Sequence, residues 1–520
     1  MKLLSVLESR ELDRLSQQKY GVPSYQLMTN AGEAVAQACV RNWPETLSGT
    51  VKVIAGRGNN GGDGMVAARR LRQQGATVDV ILLAKSEQIK GDAARALYEL
   101  RQTDARLIEA TDEPALTSVV TSASLIIDAI FGTGLNANVE GLAARAIGLI
   151  NEAKVPVVAV DIPSGVNADT GAIMGIAVRA SLTVTFGLAK FGHVSYPGAD
   201  YCGRLEIVDI GFAPQALDEI APKGRFLEAD DVRPAISPRP TNAHKGLFGH
   251  PLIIAGSRGK AGAAVLAARG ALRIGAGLVT VAYPEGALPG LTIVYPELMA
   301  EPMPERDGHF DGRHTIERLR EVGTGKNVFV VGPGIGVSSD TQELVAALVE
   351  EFCSPARPLV IDADGLNVLA ALGPRLLRKA AGPVLLTPHP GEMGRLLACS
   401  TEQINANRIG AARRLSEETG AIVLLKGARS VIAAPDGTVL VNSTGNPGMG
   451  TPGMGDVLSG VLGGLLAQRL KPLEAMALGV FVHGYAADRL AKNLAPIGFT
   501  AGDVIEELPR ALAAVAAQAC

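Results

Sequence analysis

The chain has 520 residues, more than one hydrophobic core holds, so its length predicts at least two domains. Hydrophobic residues make up 47% of the chain and charged residues 19%, a balance that excludes a largely disordered protein. The formal net charge is −3 and no long basic run occurs, so we expect no nucleic-acid partner and no anionic-membrane partner.

Short apolar runs rich in β-branched residues alternate with helical patterns along the first part of the chain. Five of these runs are typical of buried parallel strands, namely residues 51–56, 78–84, 125–132, 155–165 and 182–187. Helical stretches such as residues 65–75 separate several of them. Strands and helices that alternate at this spacing predict a doubly wound α/β sheet.

The second part of the chain has the same alternation of strand and helix patterns but a different sequence. Its strand candidates are residues 251–257, 277–283, 328–334, 358–365, 383–391 and 421–428. Between the two parts lies the polar, proline-rich segment 212–246, which has no clear period. We therefore predict an N-terminal domain over residues 1–222 and a C-terminal domain over residues 223–520.

Several features favour a cytoplasmic protein. The five cysteines form no CxxC pair and show no metal-ligand spacing, which favours a reducing compartment. Acidic residues occur within the first dozen positions, which is not typical of a signal peptide. Glycines and charges interrupt every apolar run before it reaches membrane-spanning length.

The first glycine-rich segment, VIAGRGNNGGDG, follows a predicted strand and precedes a predicted helix. Glycines let the backbone approach a ligand, and free amides at a helix start suit a phosphate. The segment is neither GxGxxG nor a P-loop, so a generic glycine turn is the alternative. Asn59, Asn60 and Asp63 favour a binding role, because a simple turn does not need so many polar side chains.

Polar residues also follow three other predicted strands of the first part. Asp128 ends one strand, Asp161 and Ser164 follow the next, and Lys190 follows a further one. Ligands of open α/β sheets bind beyond the carboxyl ends of the strands, so these residues are candidates for one crevice. The alternatives are cap or turn roles for the aspartates and a solvated position for Lys190.

In the second part, GMGTPGMGDVLSG brings one carboxylate to the start of an apolar helix. Gly453 and Gly455 are predicted to precede that helix and to direct backbone amides at a transferring phosphoryl group. Asp456 then faces the reacting hydroxyl as a general base. The alternative is that Asp456 is only the N-cap of the helix, a role that aspartate fills well.

Three further segments favour a nucleotide site in the second part. Lys426 and Gly427 end a predicted strand, where a cation and backbone amides can meet phosphates. His389 lies on a proline-rich loop next to Glu392, and Gly334 lies in a flexible turn. A lone histidine is more often structural, but its position among Pro and Gly at a strand end is unusual for a core residue.

The segments AGRGNNGGDG, DAIFGTGL, DIPSGVNADTG and TFGLAKFGH, in this order over about residues 10–215, resemble the epimerase family that acts on hydrated NAD(P)H. The resemblance implies a Rossmann-like fold that interconverts the R and S hydrates. It also implies a potassium ion held by Asn60, Asp128 and Ser164. The hydrate would be bound by residues 59–64 and 132–138, among them Asn59, Asn60, Gly61, Gly62, Asp63, Gly132, Thr133, Gly134, Leu135 and Asn136. Asp161, which would also contact the hydrate, and Lys190 are the acid/base candidates, because epimerisation needs proton transfer in both directions.

The set GSRGKAGA, GPGIG, DADGLN, TPHPGEM, LLKGAR and GTPGMGDVLSG, over about residues 230–510, resembles the ADP-dependent dehydratase family of hydrated NAD(P)H. Its GxGD ending is similar to the wider ribokinase superfamily and implies a ribokinase-like α/β fold. The resemblance implies that ADP phosphorylates the hydrate and that AMP is formed, with Asp456 activating the hydroxyl. ADP would be held by Lys426, Gly427, Ala428, Arg429, Ser430 and Gly455, and the hydrate by Ala263, Gly334, His389 and Asp456.

Both resemblances concern one damaged cofactor, so we expect the small-molecule substrates NADHX, NADPHX and ADP. Phosphoryl transfer also leads us to expect Mg²⁺, for which no ligand set is apparent. We further expect a homo-oligomer. The alternative function is a ribokinase-type small-molecule kinase fused to a nucleotide-binding regulatory domain.

Overall fold

The computed structural model describes residues 1–110, 112–120, 122–287 and 295–517. Contacts within the chain divide it into two compact units, Lys2–Gly224 and Arg225–Cys520, with Met1 grouped with the second. Both units combine helices with a sheet that is wholly or mainly parallel, so the predicted α/β class is confirmed. Across these described ranges, no helix is both long enough and apolar enough to cross a membrane.

The N-terminal unit contains nine described strands and eight described α-helices. The strands are β1 Lys2–Leu4, β2 Thr50–Ala55, β3 Thr77–Leu82, β4 Arg106–Glu109, β5 Leu125–Ala129, β6 Val157–Val160, β7 Leu182–Phe186, β8 Ala189–Lys190 and β9 Arg204–Val208. The helices are α1 Val6–Arg14, α2 Ser24–Asn42, α3 Asn59–Gln73, α4 Gly91–Leu100, α5 Glu113–Val120, α6 Gly141–Glu152, α7 Phe191–Val194 and α8 Pro214–Ile220.

Seven of these strands form one parallel sheet in the order β4-β3-β2-β5-β6-β7-β9. The order reverses between β2 and β5, as in a Rossmann-like doubly wound sheet. Alternate strand residues are buried on opposite faces: Val53 and Ile127 belong to one apolar cluster, and Ile54 and Ile126 belong to another. Helices therefore cover both faces, which leaves the carboxyl ends of the strands free for a site.

The C-terminal unit contains a longer set of described elements, and the short strand β10 Gly224–Phe226 begins one residue before it. The other strands are β11 Pro251–Ile254, β12 Thr280–Pro284, β13 Met299–Met303, β14 Glu305–Arg306, β15 His309–Phe310, β16 Val328–Val331, β17 Leu359–Ile361, β18 Val384–Leu386, β19 Ile422–Leu425, β20 Val431–Ala433 and β21 Val439–Val441. The helices are α9 Ala229–Val232, α10 Ala261–Arg273, α11 Gly312–Val322, α12 Ser339–Ala347, α13 Asp364–Leu372, α14 Pro390–Leu397, α15 Thr401–Ala406, α16 Arg408–Thr419, α17 Met454–Ala467, α18 Pro472–Asn493 and α19 Ala501–Ala517.

The main sheet of this unit runs β13-β12-β11-β16-β17-β18-β19-β20-β21. Pairing is parallel from β13 to β19 and antiparallel from β19 to β21. Strand residues such as Val330, Val360 and Leu424 pack in one cluster with the apolar side of α17, including Val461 and Leu462. This packing fixes the start of α17 next to the ends of the parallel strands.

Two helix starts differ from the sequence prediction. Helix α3 begins at Asn59, so residues 59–64, predicted as a loop, form its first turns. Helix α17 begins at Met454, so Gly455 lies inside the first turn and does not precede the helix. In both cases packing overrides the low helix propensity of glycine and asparagine. The amides of these first turns still lack helical acceptors, so they remain available to a ligand.

Candidate active sites

The N-terminal unit places its predicted acid and base in direct contact. Lys190 Nζ donates to Asp161 Oδ1 at 2.7 Å and to Thr185 Oγ1 at 2.9 Å. The hydroxyl of Thr185 in turn donates to Asp161 Oδ1 at 2.8 Å. The Lys190 side chain is only 3% exposed, so the alternative of a solvated lysine is wrong. An ammonium donor and a carboxylate acceptor thus lie side by side.

The ionisation of Asp161 follows from these contacts. Burial alone would raise its pKa, but the charge and hydrogen bond of Lys190 outweigh burial and lower the pKa. Two more carboxyls lie near. Burial, with the charges of Asp161 and Asp13, raises the pKa of Asp63 well above its usual value. Desolvation and the charge of Asp161 raise the pKa of Asp13, on helix α1, to about 6. The site therefore holds carboxyls of very different acidity.

Asp128 and Ser164 form a buried polar pair. Ser164 donates from Oγ to Asp128 Oδ1 at 2.6 Å and from its backbone N to Oδ2 at 2.8 Å. Burial raises the pKa of Asp128 to about 6, and no cationic side chain of the described chain acts on it. Gly132 follows Asp128 by four residues, and the side chain of Asn60 lies beside it. Nδ2 of Asn60 has no hydrogen-bond partner within the described structure.

A buried carboxylate without a cationic partner, close to hydroxyl and amide groups, fits the oxygen-rich surroundings that a hard cation requires. The three residues predicted for potassium therefore offer suitable chemistry. Their role as ligands stays a prediction. Among the described residues, no group of three or more His, Cys, Asp and Glu could hold a metal ion.

The remaining predicted hydrate-binding residues of this unit lie in two short stretches. Residues 132–136 form the exposed to half-buried connection after β5, with Gly134 and Asn136 exposed. Asn59 is exposed at the start of α3. Gly61 is required by packing, because a Cβ there would lie 2.0 Å from the carbonyl oxygen of Gly56. Both stretches follow strands at the carboxyl edge of the sheet.

In the C-terminal unit, Asp456 lies in the first turn of helix α17. Gly453 occupies the N-cap position with φ +90°, a conformation that favours glycine. The alternative that Asp456 caps this helix is therefore wrong. Burial and then the charge of Asp362 raise the pKa of Asp456 to about 6. A carboxyl with this pKa can act as a general base near neutral pH.

Lys426 is held by a buried carboxylate that the sequence prediction missed. Its Nζ donates to Asp362 Oδ1 at 2.7 Å, and Asp362 is 1% exposed. Ser459, on α17, donates from Oγ to the other oxygen of Asp362. A Cβ at Gly455 would lie 3.2 Å from Lys426 Nζ. The absence of a side chain at Gly455 therefore keeps the helix start close to this ion pair.

The predicted nucleotide-binding residues 426–430 form the turn between β19 and β20. Gly427 has φ +140° and Arg429 has φ +54°, so the backbone is unusual at both positions. Ser430 Oγ donates to the carbonyl of Gly427 at 2.9 Å and closes the turn. The backbone N of Gly427 donates to Ser430 Oγ at 3.2 Å. Gly427 and Ala428 are exposed, so a ligand can reach the backbone of this turn.

Arg408 stabilises this turn by a hydrogen bond to its backbone. Its Nη2 donates to the carbonyl of Lys426 at 3.0 Å, and burial lowers its pKa to about 10. No carboxylate of the described chain forms an ion pair with it, so this positive charge is uncompensated beside the predicted phosphate site. An anionic ligand would supply the missing negative charge.

His389 has a structural role in addition to its predicted binding role. It is the N-cap of α14, and its Nδ1 accepts from the backbone N of Gly391 at 3.0 Å. Glu392 accepts from the backbone N of His389 at 2.7 Å and is 5% exposed. Burial raises the pKa of Glu392 to about 7, although the charge of Lys426 acts in the opposite direction. The His389 side chain remains 50% exposed, so a ligand can reach it.

Ala263 and Gly334, both predicted to line the hydrate site, are neighbours. A Cβ at Gly334 would lie 3.3 Å from Ala263 Cβ and 3.0 Å from Lys260. Lys260 in turn pairs with Asp364 at 2.9 Å, and the charge of Asp364 acts on Asp456. The structure therefore connects these small residues to the surroundings of Asp456.

The sequence prediction missed the residues that orient others. Asp362, Ser459 and Thr185 hold the side chains that were predicted, and Asp13 and His193 surround Asp161. Asp362 lies within DADGLN and His193 within TFGLAKFGH, both quoted above for their resemblance. Their position at the ends of strand segments was the available signal.

Family models match both parts of the chain. Residues 251–510 match the family described as NAD(P)H-hydrate dehydratase, and residues 24–192 match the YjeF-related protein N-terminus. A bifunctional NAD(P)H-hydrate repair enzyme of Moorella thermoacetica is 42% identical over 98% of this chain and 97% of its own length. The chain belongs to this bifunctional repair-enzyme family. The Escherichia coli member is 35% identical over 94% of this chain and 90% of its own length.

A solved ADP/ATP-dependent NAD(P)H-hydrate dehydratase of Bacillus subtilis, co-crystallised with ATP and Mg²⁺, is also similar. It is 29% identical and covers 56% of this chain and 98% of its own, with a TM-score of 0.49.

Proposed function

We propose that the chain repairs hydrated NADH and NADPH in two steps. Residues 1–222 interconvert the R and S hydrates, and residues 223–520 dehydrate the S form at the expense of ADP, giving AMP and phosphate. Family membership over nearly the whole length supports the pair of activities. The observation that carries the second step is Asp456, a carboxyl whose pKa is raised to about 6, in the first turn of a helix whose N-cap and second residue are the glycines Gly453 and Gly455.

In the N-terminal unit, Lys190 protonates the departing hydroxyl of one hydrate, which leaves as water. Asp161 takes a proton from the water that adds to the opposite face of the same ring carbon. Their hydrogen bond at 2.7 Å lets the proton return between them, so the pair is reset after each turnover. Asn59, Asn60, Asp63 and residues 132–136 bind the hydrate.

Potassium fits Asn60, Asp128 and Ser164 in this unit. When bound, the ion would supply a positive charge that compensates the buried carboxylate of Asp128. Ser164 orients that carboxylate through its Oγ and its backbone N. Through the ion, the three residues would join the start of α3 to the end of β5 and to the segment that follows β6.

In the C-terminal unit, Asp456 takes the proton of the hydrate hydroxyl, and the hydroxyl oxygen attacks the terminal phosphorus of ADP. AMP leaves from that phosphorus. The C–O bond of the phosphate ester then breaks, inorganic phosphate leaves with the electron pair of that bond, and the neighbouring carbon loses a proton to solvent, which restores the ring double bond. The amide groups of residues 426–430 and the start of α17 hold the nucleotide phosphates, where Mg²⁺ would neutralise charge. Ala263, Gly334 and His389 line the hydrate site.

The deciding experiment uses the full chain with ADP and separately purified R and S hydrates. Recovery of the reduced-nicotinamide absorbance from S-hydrate is expected at once, and from R-hydrate only after epimerisation. Asp161→Asn should abolish the repair of R-hydrate and leave the repair of S-hydrate intact. Asp456→Asn should slow the repair of both hydrates by roughly a hundredfold or more. A stable phosphorylated product without recovered NADH would instead establish the kinase alternative.

A cytoplasmic location and a homo-oligomeric state also belong to this proposal. Light scattering on the purified chain tests the oligomeric state, and fractionation of cells that express it tests the location.

A further inference from the structure

One buried histidine connects the two residues of the N-terminal acid/base pair through their backbones. His193 is 4% exposed and lies on the short helix α7. The backbone N of Lys190 donates to its Nδ1 at 2.9 Å. Its Nε2 lies 2.8 Å from the backbone oxygen of Asp161. One ring therefore contacts both members of the pair, which are 29 positions apart in the sequence.

The two contacts determine the protonation of the ring. A carbonyl oxygen only accepts, so Nε2 carries the hydrogen and donates it to Asp161. A backbone N–H only donates, so Nδ1 carries no hydrogen and accepts from Lys190. The ring is therefore a neutral imidazole in a single tautomer. Burial and the charge of Lys190, which lower the pKa of His193 to about 4, agree with this state.

The backbone at Asp161 requires such support. Asp161 has φ +63°, in the left-handed region that non-glycine residues seldom adopt. Its backbone N donates to the carbonyl of Val184 at 2.8 Å, and its carbonyl accepts from His193. A strained residue stays in place only when its surroundings hold it on both sides. Val184 provides one side and His193 the other.

A simpler explanation is that His193 only caps helix α7. That role accounts for the bond from Lys190 to Nδ1, because Lys190 is the N-cap of this helix. It does not account for the bond from Nε2 to Asp161, which joins residues 32 positions apart. The second bond has a consequence for the site, because it sets where the Asp161 backbone stands relative to Lys190.

We propose that His193 is a positioning residue of the epimerase site, whose neutral ring fixes the Asp161 carboxylate within hydrogen-bond distance of the Lys190 ammonium. This inference rests on the proposed epimerase function. Without the ring, Asp161 can relax from its left-handed backbone, and its carboxylate can move away from Lys190. Epimerase turnover would fall, because Asp161 and Lys190 would no longer both lie in position to act on the reacting hydroxyl.

Loss of the His193 ring should also change the pKa of Asp161. Asp161 is faced by Lys190, by the neutral His193, by Asp13 on α1 and by Asp63 on α3. Of these, Lys190 alone is a cation. If the pair loosens, burial and the neighbouring carboxyls dominate, and the pKa of Asp161 rises. The acidic limb of the epimerase pH profile then moves to higher pH. A purely structural defect lowers the active fraction without moving that limb.

The test compares two substitutions of His193 in the full chain. His193→Leu keeps the bulk and removes both hydrogen bonds, so we expect at least a tenfold lower epimerase kcat and a shifted acidic limb. In His193→Gln, the amide offers an acceptor and a donor at similar spacing, so we expect the pH profile to return to that of the parent. Thr183→Val is the matched control, because Thr183 makes one buried hydrogen bond, to Cys202, away from the pair.

The outcomes separate the two hypotheses. An unshifted limb with near-parental kcat in His193→Leu overturns the positioning role. If His193→Leu does not fold, His193→Asn takes its place, because its shorter amide can still accept from the backbone N of Lys190 but cannot reach the carbonyl of Asp161; an unshifted limb in that variant overturns the positioning role, and a shifted limb supports it. An inactive parent with R-hydrate overturns the epimerase function instead. In that case, ¹³C NMR titration of the Asp161 carboxyl still decides: a higher pKa in His193→Leu than in the parent supports control of the pair by His193, and equal pKa values contradict it.

Discussion

Lys426 donates a hydrogen bond from Nζ to Oδ1 of Asp362 at 2.7 Å, at the point where β17, β19 and helix α17 meet. Asp362 is buried, and Ser459 occupies its other oxygen. A lysine expected to meet phosphates directly is therefore already paired before a nucleotide arrives. The ion pair fixes the ammonium beside Gly455 and prevents it from moving freely toward solvent.

Breaking this pair from one side should be more harmful than removing it. Asp362→Asn leaves a largely buried ammonium without its carboxylate, and Lys426→Met leaves a buried carboxylate without its cation. We expect each to lower the free energy of unfolding by about 3 kcal/mol. The double variant should lose clearly less than the sum, as urea unfolding of all four proteins can measure. Strictly additive losses would contradict the coupling.

The pH dependence of dehydration should follow Asp456. Its pKa is raised to about 6, so it is ionised above that pH and can accept a proton. As pH falls through about 6, the carboxylate is protonated and the base is lost. With S-hydrate and saturating ADP, kcat/KM should therefore decline about tenfold for each pH unit below this value. A profile that stays flat down to pH 4 would remove Asp456 from this role.

Gly455→Ala should separate stability from activity. Alanine favours the helix by about 1 kcal/mol relative to glycine. Its Cβ would nevertheless lie 3.2 Å from Lys426 Nζ and 3.6 Å from an oxygen of Asp362. We expect unchanged or higher stability with a roughly tenfold slower dehydration. Gly148→Ala is the control, because a Cβ at this position in α6 has nothing within 4 Å. Parental dehydration by Gly455→Ala would show that the close approach is not required.

Potassium should stabilise the N-terminal unit through Asp128. Exchange of potassium for sodium is expected to lower both epimerase turnover and the thermal midpoint, because a bound ion stabilises the folded state by mass action. Ser164→Ala removes the hydroxyl that donates to Asp128 and should abolish the difference between the two ions. Thermal unfolding across a range of potassium concentrations measures the effect. A midpoint that does not depend on the ion would refute it.

The sequence predicted the central strands well because each is a short apolar run buried on both faces. It missed strands such as Arg204–Val208 and Met299–Met303, where charged residues or proline interrupt the run. It also missed the true start of helix α3, because Asn59–Gly64 has low helix propensity on its own. Packing of the glycines against the strand ends decides that boundary, and packing is not visible in a local pattern.

Among the site residues, too, some could be predicted from local sequence patterns and others could not. Asp456, Lys190 and Asp161 could be predicted as candidates because chemistry-bearing side chains stand out among glycines at strand ends. The partners that hold them could not, because Asp362 lies 64 positions before Lys426 in the sequence and Asp161 lies 29 before Lys190. Such pairings depend on the order of strands in the sheet, which local sequence patterns do not specify.

At position 161, two independent demands select the same amino acid. The left-handed backbone favours glycine, asparagine and aspartate, and the proton transfer that we propose requires a carboxyl group. Aspartate alone meets both conditions; glutamate keeps the acid but suits the main-chain conformation poorly. Selection for activity from a library randomised at this codon should therefore return aspartate almost exclusively, which makes the position intolerant of evolutionary drift.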